Sequence, residues 1–179
     1  MKLLIAIPTN DYMHYKFVEC LTKLTRRLDE DGIDYDIAYQ GATLVYVGRD
    51  KLANKAMNEC YTHMLWLDSD MVFQPDLLER LSEDLDGRDI VTGLYFKRKP
   101  PFTPVLFSKL ELVGDDDCDF EELLSYSDHI FEVAGCGFGA VLMKTNVLKD
   151  ILEGIGPLWF SPMGNLGEDI AFWIRARYY

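Results

Sequence analysis

Two aspartates flanking a serine, Asp68-Ser69-Asp70, follow the apolar run Met64-Leu65-Trp66-Leu67 and precede Gln74-Pro75-Asp76. On a strand, residues i and i+2 point to the same side, roughly 6.5 to 7 Å apart. A turn at that point lets both carboxylates converge on one hard cation, which takes oxygen ligands and keeps positions open for phosphate oxygens. The tripeptide alone is common in turns. Its delivery by a buried strand to a ligand edge is what singles it out. A second acidic pair, Glu168-Asp169, lies far downstream between Gly167 and an apolar helical pattern. Acids in a first helical turn complement the dipole and the free N–H groups. The functional alternative is a general base that takes the proton from an attacking hydroxyl, with Gly164 and Gly167 allowing close backbone approach.

Other candidates carry less chemistry. Arg49 and Asn54 bracket the start of the second helix, and Arg49 is a contact for a phosphate or sugar unless it faces solvent. Gly135-Cys136-Gly137-Phe138-Gly139 lacks the Lys-Ser or Lys-Thr of a phosphate loop and precedes an apolar strand, Ala140 to Met143, where a helix would be needed. It reads as a bent strand with an approach site for a ligand. The histidines at 14, 63 and 129 show no ligand spacing. The four cysteines form no metal knuckle, and Cys20 and Cys60 fall on apolar positions of helices as buried thiols.

The elements that position these groups follow from periodicity. Lys2 to Ile7 is a continuous apolar run, a strand buried on both faces. Asn10 or Asp11 caps a helix with Phe17, Leu21, Leu24 and Leu28 on one face. Ile33 to Gln40 is a second strand, and Leu44 to Val47 a short extended piece. A helix from about Asp50 to His63 carries Leu52, Ala53, Ala56, Met57, Cys60 and Tyr61 inward. The strand before Asp68 is followed by a helix with Leu77, Leu78, Leu81 and Leu85, opened by Pro75. Asp89 to Phe96 reads as a strand, Lys97 to Asp128 as irregular, and Phe131 to Ala134 and Ala140 to Met143 as strands. Helices from Thr145 to Leu152 and from Glu168 to about Arg177 complete the chain. Alternating strand and helix implies an α/β fold, with a mostly parallel sheet covered by helices on both faces. In such sheets the ligand sits outside the carboxyl ends of the strands. That rule selects Pro8-Thr9-Asn10, Gln40-Gly41 and Asp68-Ser69-Asp70 together.

The chain carries 18 basic and 30 acidic residues, a net charge of -12, which disfavours nucleic acid as a partner. A phosphorylated small molecule then needs local devices such as a metal ion, a few cations or a helix N-terminus. The acidic run from Glu111 to Glu122 reads as a solvated loop. No stretch approaches the roughly 20 apolar residues that span a bilayer, and MKLLIAIP is too short for a signal peptide. A cytoplasmic single domain over 1–179 is the expectation.

In order, IPTND, LWLDSDMVFQPDLL, GCGFGAVLMK and GEDIAFWIRAR resemble the family 2-like glycosyltransferases of GT-A fold, a mixed, mostly parallel Rossmann-like sheet. The resemblance spans nearly the whole chain and implies a nucleotide-binding half to about 96 and an acceptor half from about 97. It implies a nucleotide-diphosphate sugar donor, an acceptor hydroxyl on a glycan, lipid or protein, and Mn2+ or Mg2+. It further implies that Asp70 chiefly holds the metal while Asp68 helps hold metal and nucleotide beside Ser69. Asp169 is then the base of an inverting transfer, with Glu168 beside it. Pro8 and Thr9, followed by Asn10, match the loop on nucleobase and ribose; Gln40, Arg49 and Asn54 join the donor site; Gly137 and Phe138 fall in the sugar and acceptor pocket. Two departures stand out. Tyr39-Gln40 replaces acids that read the base in many relatives. The chain also stops at Tyr179, about one helix past Glu168-Asp169, where such enzymes commonly continue and supply a metal-binding histidine. A truncated C-terminus, or a metal held by fewer protein ligands, is the expectation. Two other readings compete: a non-catalytic nucleotide-sugar binding module of the same fold, and a DxD phosphatase of the haloacid dehalogenase kind with Asp68 as nucleophile.

Overall fold

The structure, a computed structural model, describes residues 1–41, 44–114 and 117–179. Its elements in chain order are β1 (Lys2–Thr9), α1 (Tyr15–Glu30), β2 (Asp34–Gly41), α2 (Val45–Asn58), β3 (His63–Leu67), α3 (Leu77–Asp84), β4 (Ile90–Thr92), β5 (Leu106–Val113), β6 (Asp117–Glu122), β7 (Gly135–Cys136), β8 (Ala140–Lys144), α4 (Asn146–Ile155) and α5 (Glu168–Tyr178).

The main sheet has the order β2-β1-β3-β8-β4. β1 pairs in parallel with β2 and β3, and β8 is antiparallel to both β3 and β4. Four of its five strands therefore point the same way, with β8 inserted against them. The pleat sends alternate residues to opposite faces. Leu3, Ile5, Ile7, Leu65 and Leu67 meet Phe17, Leu21, Leu24 and Leu28 of α1 and Leu78 and Leu81 of α3. Leu4, Ala6, Met64 and Trp66 meet Leu52, Ala53 and Ala56 of α2, with Leu148 of α4 and Phe172 of α5. Both faces are thus covered by helices, which is why the strands read as continuous apolar runs. A second sheet, β6-β5-β7, is antiparallel, and its Leu106, Leu110 and Cys136 join the same core as α2, α4 and α5.

Several elements differ from expectation. His14 caps α1, its Nδ1 accepting the Lys16 N–H at 3.3 Å, because the chain after β1 first crosses to the Asp68 turn, where the His14 N–H donates to the Ser69 carbonyl at 3.1 Å. Asn10 and Asp11 lie upstream of that crossing. Residues 45–47 are helical, not extended, and α2 starts five residues before Asp50. Two valines favour extended backbone locally, but packing of Tyr46 and burial of Gly48 and Arg49 outweigh them. α2 ends at Asn58, leaving Cys60 exposed at a positive φ of 56°. Cys20 is half-buried, so the buried thiols are Cys118 and Cys136. β4 stops at Thr92 because the chain then leaves the sheet in an arm, closed by the Val105 N–H donating to the Tyr95 carbonyl at 3.1 Å. The stretch from 97 to 128 holds the β5–β6 pairing, so much of the acidic run lies on strands; Asp115 and Asp116 fall outside the described residues. Its acids alternate outward while Leu110, Leu112 and Cys118 turn toward the core. Residues 131–134 form no strand.

Candidate functional site

The carboxyl ends of β1, β2 and β3 open on one cleft of about 340 Å³. Pro8, Thr9 and Asn10 come from β1 and Gln40 from β2; Asp68, Ser69 and Asp70 follow β3. Val45 and Arg49 arrive on the first turns of α2, Glu168 and Asp169 on the first turn of α5, and Arg98 on the arm after β4. The size lies within the range of small-molecule sites.

The Asp68 turn is built from the backbone. The Asp68 N–H donates to the Gly139 carbonyl at 3.1 Å, and the Met71 N–H donates to the Asp68 carbonyl at 3.0 Å. Beneath it lies Arg49, which is 2% exposed. Its Nη2 sits 3.1 Å from Asp68 Oδ1 and 3.4 Å from Asp169 Oδ1. The guanidinium lies 4.9 Å from the Phe138 ring centre and 5.7 Å from that of Phe160, so it is held between aromatic faces and carboxylates. Sequence order alone leaves Arg49 free to face solvent; the early start of α2 carries it inward and makes it the link between the two acidic pairs. Its Nε and Nη1, and Asp169 Oδ1, are buried without hydrogen-bond partners among the described residues.

The acids are tuned by this environment. Burial raises the Asp68 carboxyl; Arg49 opposes the rise, while Asp70 and Glu168 add to it. Burial likewise pushes Asp169 up to about 6, with Arg49 opposing and Glu168 and Asp68 adding. The Asp169 side chain is 29% exposed, with Oδ1 as its enclosed oxygen. Asp70 pairs with Arg98, whose side chain is 80% exposed.

Three expected site residues lie elsewhere. Asn54 is exposed on α2 and turns back to donate to the Asp50 carbonyl at 2.9 Å. Phe138 is 1% exposed within an aromatic cluster of Trp66, Phe160, Phe172 and Trp173. Its role at the site is to support Arg49 from below. Gly137 is buried, and a Cβ there would collide with the Tyr95 hydroxyl. That hydroxyl accepts the Gly139 N–H at 3.1 Å, and a Cβ on Gly139 would press on Met71 Sδ at 3.0 Å. The glycine bend therefore makes room for the protein's own side chains, not for a ligand in the cleft. Arg98 and Val45 are the cleft residues that sequence reasoning missed; for Arg98 the triplet Lys97-Arg98-Lys99, in so acidic a chain, was the available signal.

No protein-family model and no curated protein matches the sequence. Among solved structures, protein A197 from STIV superposes over 99% of this chain and 78% of its own, with a TM-score of 0.63 and 22% identity. The two share a fold. A second solved structure, 4-diphosphocytidyl-2C-methyl-D-erythritol synthase from Anaerococcus prevotii, covers 86% of this chain and 74% of its own at 10% identity and a TM-score of 0.46. No described helix is long and apolar enough to cross a membrane.

Among the described residues no group of three or more His, Cys, Asp or Glu side chains is gathered to hold a metal ion. Asp68 and Asp70 nevertheless fit a divalent ion in kind. They present hard oxygen donors at the edge of an open cleft, and Mg2+ in particular uses one or two carboxylates and takes its other ligands from water and phosphate.

Proposed function

We propose that the cleft binds a nucleotide-diphosphate sugar together with Mn2+ or Mg2+, and that the chain is a glycosyltransferase of GT-A type. The observation that carries this reading is the meeting of Asp68 and Asp70 with Glu168 and Asp169 in one cleft, joined through buried Arg49. Two acidic pairs, with Glu168 and Asp169 standing 100 and 101 residues after Asp68, have no structural need to share a cavity. Pro8, Thr9 and Gln40 flank the nucleoside end, and Asp68 and Asp70 hold the cation. When bound, that cation offsets negative charge developing on the departing diphosphate.

Asp169 accepts the proton of the acceptor hydroxyl as its oxygen attacks the anomeric carbon and the bond to the diphosphate breaks. A carboxylate near 6 remains largely ionised at neutral pH, yet is a stronger base than an ordinary aspartate. Arg49 keeps Asp169 charged between turnovers by opposing the cost of its burial. The phosphatase reading would place the acidic motif on the first strand of the fold, whereas Asp68 follows β3, with two strands and two helices before it.

That test is thermal shift with nucleoside diphosphates, with and without Mn2+. A ligand that binds only the folded state raises the melting temperature. The shift is expected to require the cation and to disappear in Asp70→Ala. An undiminished shift in that variant overturns the assignment of Asp70, and no shift with any nucleotide overturns the donor reading.

A further inference from the structure

Lys97-Arg98-Lys99 is the only run of three cations in a chain of net charge -12. It lies at the tip of the arm between Tyr95 and Val105, which is closed by the Lys97 N–H donating to the Thr103 carbonyl at 2.9 Å and by a bridge between Phe96 and Pro104. Lys97 is anchored away from the cleft, its Nζ 2.7 and 2.8 Å from the two carboxylate oxygens of Glu122. The root of the arm is anchored on the site itself. The Tyr95 hydroxyl accepts the Gly139 N–H, and the carbonyl of the same Gly139 accepts the Asp68 N–H, each at 3.1 Å. Arm and acidic turn thus hang from one residue, which leaves Arg98 to reach Asp70.

We propose that Arg98 is a displaceable counter-ion of Asp70: it pairs with the carboxylate until a divalent cation takes its place. The charges require such a partner, because Asp68, Asp70, Glu168 and Asp169 line the cleft while Arg49 is already shared by Asp68 and Asp169. An ion pair as exposed as this one is weak and exchangeable. Cation and guanidinium repel each other, so both do not hold one carboxylate. Once released, the guanidinium stays at the cleft edge, where its planar donors suit phosphate oxygens; this second half rests on the donor reading above.

The experiment measures free Mn2+ by electron paramagnetic resonance over the full chain, first with Mn2+ alone and then with a nucleoside diphosphate. Arg98→Gln is expected to bind Mn2+ alone about fivefold more tightly, the upper end for an exposed pair. Arg98→Lys should stay near wild type, and Lys99→Gln, with the same change in net charge, should move less than about twofold. Unchanged or weaker Mn2+ binding in Arg98→Gln overturns the proposal, as does an equal effect of Lys99→Gln or the absence of Mn2+ binding in both proteins. Weaker nucleoside diphosphate binding in Arg98→Gln supports the phosphate role. Tighter Mn2+ binding in that variant, with no nucleotide bound by wild type, keeps the counter-ion and removes the donor reading.

Discussion

At the scale of single residues, the site is an exercise in holding like charges together. Four carboxylates crowd the cleft, and Arg49 makes the arrangement tolerable by sitting under two of them. Asp169 shows the consequence most clearly. In the folded chain it titrates near 6, whereas an unfolded aspartate does so near about 3.9. Between those values the folded state keeps a proton that the unfolded state has released. Stability contributed by this group is therefore greatest below about pH 4 and declines as pH rises through 6. In Asp169→Asn that part of the slope should vanish, so wild-type stability minus variant stability, measured by urea unfolding, should fall from pH 4 to 6 and then level. The same substitution should lower sugar transfer by about 10²- to 10⁴-fold while leaving nucleoside diphosphate binding in place. The rate of the wild type should rise with pH through an apparent value near 6. A flat acid limb would remove Asp169 as the base.

At the scale of elements, the glycine-rich bend before β8 changes most between sequence and structure. Its pattern invites a ligand, and the space is filled by Tyr95, Met71 and, at Gly135, Trp173 and Leu110. Gly137→Ala is expected to cost about 1–3 kcal/mol as an overpacked position. Removing the hydroxyl with Tyr95→Phe should recover part of that loss, read from denaturant midpoints in a double-mutant cycle. Strictly additive effects would mean that the bend is not built around the hydroxyl. This element was illegible in sequence because its partner lies 42 residues away, from Tyr95 to Gly137, and no periodicity encodes a steric fit. The start of α2 was illegible for a related reason. Val45, Tyr46 and Val47 favour a strand by themselves, and the packing of Tyr46 with the burial of Gly48 and Arg49 makes the segment helical. By contrast, β1, α1 and β3 follow from the chain alone, since both strands are continuous apolar runs and the buried residues of α1 recur every three or four.

At the scale of the whole molecule, a net charge of -12 surrounds a cleft proposed to take an anion. The long-range field repels a nucleoside diphosphate, and Arg49, Arg98 and a cation act only nearby. Raising salt from about 10 mM to about 150 mM shortens the screening length from about 30 Å to about 8 Å. The association rate of a nucleoside diphosphate, followed by stopped flow, is therefore expected to rise with salt; a steep fall would mean that the basic arm governs encounter. The alternation of strand and helix, the buried strand ahead of Asp68-Ser69-Asp70 and the acids opening α5 are all legible along the chain, because each is written in neighbouring residues. Folding alone places Arg49 beside acids of both pairs, sets Asn54 and Gly137 apart from the cleft, and brings Arg98 to Asp70. Those outcomes depend on which distant segments the sheet order brings together. The opening Asp68-Ser69-Asp70 turn thus draws its chemistry from α2, α5 and the arm, three elements that meet it only in the folded chain.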